Sequence, residues 1–295
     1  MLYTIKLRVM RKILFPTDFS NAADNAFVYA LHLAKEMDAA LYVLNTYMQP
    51  VLSATHAGQP ELVPEVYENY ELHQFENFKK HTAELHKMAD DHNLSEVPMT
   101  FLFEEGTVVA NAQQIIEDEG IHFVIMGTNR ADGVIEKIFG SNTLGVIRGV
   151  KIPVLSVPKE ATYRGIQEIL FTTLFREKDE GALRQIMEIA DKFGVKVKCI
   201  HVMKDRNIDI VSVTDRWQKM FPHDNLEFVL LDLDLSVENT LNNYIEINRV
   251  DLLCVVKRNK NLLERLFKSS MSNRLRMHAN TATLVLQEGD DPGAF

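Results

Sequence analysis

Short apolar runs alternate along this chain with longer stretches in which apolar side chains return every three or four positions. The short runs read as strands covered on both faces, and the long stretches as helices with one buried stripe. This pattern predicts strands over Lys12–Pro16, Ala40–Asn45, Met99–Phe103, His122–Gly127 and Pro153–Val157. Between them it predicts helices over Asn21–Met37, Glu71–Asp91, Val108–Glu117 and Asn142–Arg148. A second series follows in the same order. Its strands are Glu168–Thr172, Val195–Met203, Leu226–Leu231, Asp251–Val256 and Thr283–Leu286. Its helices are Glu180–Phe193, Val211–Phe221, Val237–Asn248 and Ser272–His278.

The two series are copies of one unit. Ile13-Leu14-Phe15 returns as Ile169-Leu170-Phe171, an offset of 156, and the same offset carries Ala34 onto Ala190 and Val43 onto Cys199. By Phe101 and Phe228 the offset has dropped to 127, so the first copy holds 29 additional residues, placed near Met48–Tyr70. Domains are expected over residues 10–158 and 166–288, with a polar seam at Lys159–Gly165. Strict alternation of strand and helix predicts an α/β fold with two tandem doubly wound domains, each on a mostly parallel five-stranded sheet. Ligands of such sheets sit beyond the carboxyl ends of the strands. The segments to examine are therefore Thr17–Ser20, Asn45–Tyr47 and Gly127–Thr143.

Composition narrows the function classes. The net charge of -9 argues against nucleic acid, which needs a basic face to displace counterions. It leaves room for a small anion held by a local field. No apolar run approaches the roughly 20 residues of a membrane span, so no membrane role is expected. Met1–Val9 lacks a signal-peptide pattern and is read as an extension with no role in the fold, which makes the cytoplasm the expected location. Cys199 and Cys254 lie in apolar runs and read as core residues. His81, His86 and His92 are spaced by five and six, which places them on different faces of a helix and offers no metal pair. No activated nucleophile is evident, so no catalytic residue is assigned. Trp217, with Met220 in a predicted helix, is expected in the core.

The chemistry concentrates after the fourth strand. Gly127 permits a sharp turn and a close approach to a ligand. Gly140-Ser141-Asn142-Thr143 opens a helix whose free N–H groups and hydroxyls suit an anion. Capping of that helix by Ser141 or Asn142 is the competing reading. Asp18 likewise reads either as a ligand contact or as a cap of the next helix, a task open also to Ser20 and Asn21. Glu104-Glu105 near the ligand edge reads as an acid–base pair or, more commonly, as helix-capping carboxylates.

These residues resemble the universal stress protein family. Its phosphate loop reads Gly-x2-Gly-x9-Gly-[Ser/Thr], and Gly127, Gly140 and Ser141 fall on that spacing. Ile13-Leu14-Phe15-Pro16-Thr17-Asp18-Phe19-Ser20 is similar to the family's first strand, and Ile152-Pro153-Val154-Leu155 to its closing strand. The resemblance implies a tandem member with an adenine nucleotide alpha hydrolase-like fold. It implies ATP or AMP, with Mg, as the cofactor. Asp18 and the backbone near Leu44–Thr46 would contact adenine, and Gly127, Gly140, Ser141, Asn142 and Thr143 would hold phosphates. Arg130 departs from the pattern at the second glycine, as either an extra phosphate ligand or an obstruction. The closing strands would pair within the chain as a pseudo-dimer. A homodimer and an unknown protein partner stay open.

The second copy has lost these features. Leu174 replaces Asp18, Val255-Val256-Lys257-Arg258-Asn259-Lys260 replaces the first glycine, and Lys268-Ser269 stands opposite Gly140-Ser141. Its gained charges, Lys257, Arg258, Lys260, Arg265, Lys268, Arg274 and Arg276, read as a solvated surface or as a surface for an acidic partner. The expected function is a regulatory protein of the stress response that binds an adenine nucleotide, and not an enzyme, with slow ATP hydrolysis left open. The alternative is a protein-interaction scaffold with no working site.

Overall fold

The computed structural model describes residues 10–50, 63–128, 136–203, 210–221, 225–258 and 281–289. The first half contains β1 (Arg11–Pro16), α1 (Asn21–Met37), β2 (Ala39–Tyr47), α2 (Val63–Asp91), β3 (Met99–Glu105), α3 (Val108–Glu119), β4 (Phe123–Thr128), α4 (Glu136–Gly149) and β5 (Val154–Pro158). The second contains β6 (Glu168–Thr172), α5 (Glu180–Phe193), β7 (Lys196–Met203), α6 (Ile210–Met220), β8 (Leu226–Asp232), α7 (Val237–Asn248), β9 (Leu252–Lys257) and β10 (Ala282–Gln287). The expected helix at Ser272–His278 lies outside the described residues, as do Met1–Val9.

The ten strands form one sheet, in the order β3-β2-β1-β4-β5-β10-β9-β6-β7-β8. Each half contributes five, and within each half the pairings are parallel. The halves meet through β5 and β10, which run antiparallel with Val154 opposite Val285 and Leu155 opposite Leu284. An isolated half would expose its last strand as an unpaired edge. Joining the edges removes both. β5 is buried along its whole length, as its apolar sequence requires.

Alternation along the strands sends Ile13 and Phe15 to one face and Leu14 to the other. The result is two apolar layers, one on each face, and each runs across both halves. Cys199, Cys254 and Trp217 are buried in the same layer. Burial holds both thiols well above their ordinary range, so neither presents a thiolate. More contacts tie the halves together. Lys257 Nζ donates to the carbonyls of Ile147 and Arg148 at the end of α4 (2.8 and 3.2 Å), and Gln287 Nε2 donates to the Val150 carbonyl. Asn25 Nδ2 donates to the carbonyls of Pro158 and Ala161, fixing the start of the connecting segment against α1.

α2 begins at Val63, two turns before the predicted Glu71: Val63–Tyr70 falls in the expected additional segment, although Val63, Val66, Tyr67 and Tyr70 repeat at helical spacing. Its Phe75 and Phe78 cover Phe103 of β3, with ring centroids 5.7 and 5.1 Å away. The corresponding α6 has 11 residues against 29 in α2, and Leu230, the counterpart of Phe103, is 44% exposed. The longer α2 therefore covers one outer face of the first half's sheet.

Candidate functional site

The first wall of the site is the turn between β1 and α1. Thr17 N–H donates to the Leu44 carbonyl (2.8 Å), and Asn45 Nδ2 donates to the Thr17 carbonyl (2.9 Å). Phe19 takes the left-handed conformation (φ 56°), and its N–H donates to Thr17 Oγ1 (3.0 Å). That conformation is uncommon for a bulky residue. The Phe19 ring lies 4.5 Å from the His81 ring and nearly parallel to it, which anchors the turn on α2. Ser20 is the N-cap of α1, its Oγ accepting the Ala23 N–H. Asp18 is thus released from capping α1. Among the described residues it accepts the Ser20 N–H alone (3.0 Å), and it stands exposed at the carboxyl edge of the sheet.

The second wall is the end of β4 with the start of the second segment of α4. Gly140 has φ 66° and ψ 157°, outside helical space, and breaks α4 so that a fresh helical segment begins at Ser141. Those angles belong essentially to glycine. A Cβ on Gly140 would meet nothing within 4 Å, so its face is open. The N–H groups of a helix's first turn have no partner within the helix and attract anions. Thr143 is buried beneath this turn, its Oγ1 donating to the Gly127 carbonyl over a long 3.5 Å.

The walls enclose a cleft of about 290 Å³. Asp18, Gly127, Gly140, Ser141, Asn142 and Thr143 all line it, from segments more than a hundred residues apart. A volume near 300 Å³ lies at the lower end of the range for small-molecule sites. The Asp18 side of the rim is acidic. Burial, then the charge of Glu84, pushes the Asp24 carboxyl up; His81 opposes this, and Asp18 adds to it.

Several expectations need correction. Leu44 does not line the cleft: it is fully buried and its carbonyl is engaged by Thr17, and Asn45 and Thr46 line the cleft beyond it. Gly127 does not turn the chain sharply off the sheet. It lies within β4, and a Cβ there would stand 2.5 Å from the Ala22 carbonyl oxygen. Its smallness admits the start of α1 beside the strand. Glu104 and Glu105 do not cap α3; Thr107 does, and Glu105 Oε2 accepts a hydrogen bond from Gln49. Lys257 and Arg258 are not part of a solvated face. Lys257 caps α4, and Arg258 is buried against Asp179. Arg130, Lys260, Arg265, Lys268, Arg274 and Arg276 lie outside the described residues. Thr17, Asn45, Thr46 and Thr128, which fall within the expected segments but carry no individual side-chain role in the sequence reading, line the cleft as well. Their signal was polarity at the carboxyl ends of otherwise apolar strands.

The second half repeats the turn and fills the space. Thr173 N–H donates to the Ile200 carbonyl, His201 Nδ1 bonds the Thr173 carbonyl, and Phe175 is left-handed (φ 51°). Val256, a buried side chain, stands at the register position of Gly127, and the turn before α5, Glu177–Asp179, is a tighter 3-10 turn. Among the described residues no group of three or more His, Cys, Asp or Glu side chains is placed to hold a metal. Among them, too, no helix is long and apolar enough to cross a membrane.

The sequence profile of the universal stress protein family matches residues 10–158. A universal stress protein of Methanocaldococcus jannaschii is 27% identical over 150 residues, covering 50% of this chain and 82% of that protein. The crystal structure of a universal stress protein from Archaeoglobus fulgidus superimposes with a TM-score of 0.62 at 17% identity, covering 94% of this chain and 98% of that one. A functionally unknown protein from Pseudomonas aeruginosa gives a TM-score of 0.59 at 11% identity, covering 95% and 93%. At such identities the structures establish shared architecture, and it extends over both halves. That architecture is the adenine nucleotide alpha hydrolase-like fold.

Proposed function

Because the chain belongs to the universal stress protein family, we propose that it is a two-domain stress-response regulator whose first domain, residues 10–158, binds an adenine nucleotide, ATP or AMP. One observation carries this reading. The break at Gly140 starts a helical segment at Ser141 in the same cleft that Asp18 lines. Free N–H groups with the hydroxyl of Ser141 suit phosphate oxygens, with Thr143 bracing the turn from beneath. Asp18, exposed across the cleft, suits the donors of a purine base, and Asn45 and Thr46 replace Leu44 in that wall. Gly140 fits a phosphate cradle, since the space its Cβ would enter is open. Arg130, which stands at the second glycine of the family's loop, is read as an extra phosphate ligand, with obstruction as the competing role. Mg enters with the nucleotide, bound to its phosphates.

Residues 166–288 form a second domain with no nucleotide site, paired with the first as an intrachain pseudo-dimer. The protein acts by binding in the cytoplasm, without catalytic turnover.

The test is a titration of the full chain with ATP and with AMP, each with Mg, following the unfolding temperature. A ligand selective for the folded state raises it. The expected result is a saturable rise that Gly140→Asp abolishes. Absence of any rise at millimolar nucleotide refutes the reading and leaves a protein-interaction scaffold. Arg130→Gly should lower the affinity; a higher affinity would show that Arg130 obstructs the cleft.

A further inference from the structure

Asp179 is the counterpart of Ala23, which lines the first-half cleft, and Asp179 has no exposed surface. Its Oδ2 accepts hydrogen bonds from Thr173 Oγ1 (2.7 Å), Arg258 Nη2 (2.7 Å) and the main-chain N–H groups of Leu174 (3.2 Å) and Arg176 (3.4 Å). A hydroxyl, a guanidinium and two main-chain N–H groups converging on one oxygen are the donor set of an oxyanion site. Arg258 comes from just after β9, the strand that corresponds to β4, so the donors gather at the same sheet edge as the first-half cleft. Where the first half offers the methyl of Ala23 and an open cleft, the second offers a carboxylate.

The pair does not exhaust its own capacity. Asp179 Oδ1 and Arg258 Nε are both buried and have no hydrogen-bond partner among the described residues. A tethered carboxylate brings two oxygens to this place, whereas a tetrahedral oxyanion brings four. Burial of a charged side chain with donors left unused is costly for an ion pair whose only task is stability.

We propose that the second half contains an anion site of phosphate class, held shut by Asp179 as its built-in ligand. The carboxylate supplies the negative charge that a bound phosphate would bring, so this half needs no ligand. Removing the carboxylate leaves Arg258, Thr173 and the two N–H groups to receive a free anion. This holds whether or not the first half binds a nucleotide.

Chemical rescue tests it. The unfolding temperature of the full chain is followed in phosphate and in chloride at equal ionic strength, for the unmodified protein, Asp179→Ala, Arg258→Met and the double variant. Asp179→Ala is expected to be destabilised in chloride, because Arg258 loses its partner. Phosphate should then raise its midpoint by about 2–4 °C more than that of the unmodified protein for each tenfold excess over half-saturation. Arg258→Met and the double variant should show no such additional rise. An equal response in Asp179→Ala and the unmodified chain overturns the proposal, as does a rise that persists in the double variant. Asp179→Ala that stays unfolded in saturating phosphate overturns it too.

Discussion

Asn45 and His201 stand at the same position of the two halves, and each hydrogen-bonds the carbonyl of the threonine after the first strand: Asn45 at 2.9 Å from Thr17, His201 at 2.8 Å from Thr173. A carbonyl can only accept, so the Nδ1 of His201 carries the proton. The bond holds a buried turn whose next residue but one is left-handed in both halves. His201→Asn, which copies the first half, should change stability by less than about 1 kcal/mol. His201→Leu leaves the Thr173 carbonyl without this donor and should cost about 1–3 kcal/mol. Urea unfolding of the two variants checks this, and equal losses would show that packing, not the bond, is what His201 provides.

The two glycines of the first-half cleft should fail for different reasons. Gly127→Ala forces a Cβ against the Ala22 backbone, so β4 or the start of α1 must shift. Overpacking of this kind costs about 1–3 kcal/mol. Gly140→Ala meets no atom, yet its φ of 66° and ψ of 157° cost an alanine about 1–3 kcal/mol. A second substitution distinguishes the causes. Ala22→Gly cannot relieve Gly127→Ala, because the clash is with main-chain atoms. A crystal structure of Gly140→Ala should show the break in α4 straightened; an unchanged break would contradict the assigned strain.

Phe78 and Leu230 measure what the longer α2 contributes. Phe78 is buried between α2 and the β3 aromatics, and Phe78→Ala should cost about 3–5 kcal/mol. Leu230 is 44% exposed, and Leu230→Lys should stay within about 0.5 kcal/mol. Unfolding midpoints of both variants test this. A large loss in Leu230→Lys would mean that this face is covered in solution.

Lys257 joins the halves by donating to the last carbonyls of α4. Burial, then the charge of Arg148, lowers its pKa from the ordinary lysine value. Charge-assisted bonds to a helix end contribute about 1.5–3 kcal/mol. Lys257→Met should lose that amount while keeping the aliphatic stem packed. Calorimetry gives a second reading, because weaker joining of the halves should broaden the transition or divide it in two.

Acid should weaken the fold through His32. Its ring stacks on Tyr163 of the connecting segment at 4.1 Å, and burial, then the charge of His92, lowers its pKa from 6.5. His122 is lowered too, by burial and then by Arg11. The unfolded chain takes up protons near pH 6.5 while the folded chain resists, so stability is full above that value. It declines as pH falls toward the folded-state pKa values. Urea midpoints should therefore drop from about pH 7.5 to about pH 5.5. His32→Gln with His122→Gln should flatten the drop, and an unchanged slope would rule these residues out as its source.

Periodicity and spacing gave the element order because strands and helices impose their own repeats on buried side chains. Asn21–Met37, Glu180–Phe193 and Val237–Asn248 match their predicted bounds for that reason. α2 starts two turns earlier than expected because the Pro-, Gly- and Ser-rich start of Met48–Tyr70 marks that segment as a loop, although Val63, Val66, Tyr67 and Tyr70 carry the helical period. The cleft was legible as a set of strand ends, since an α/β sheet gathers its loops at one edge whatever the side chains are.

Sequence by itself determined two copies of one α/β unit, the edge where a ligand belongs, and most of the residues brought to it. The tertiary structure decided what those residues do there. A glycine in sequence is only the absence of a side chain; the backbone of Ala22 gives Gly127 a packing reason and leaves Gly140 a conformational one. Lysine and arginine in a polar run look solvated until the fold places helix carbonyls beside Lys257 and a carboxylate beside Arg258. Those partners lie more than 70 residues away in sequence, at separations that local patterns do not encode.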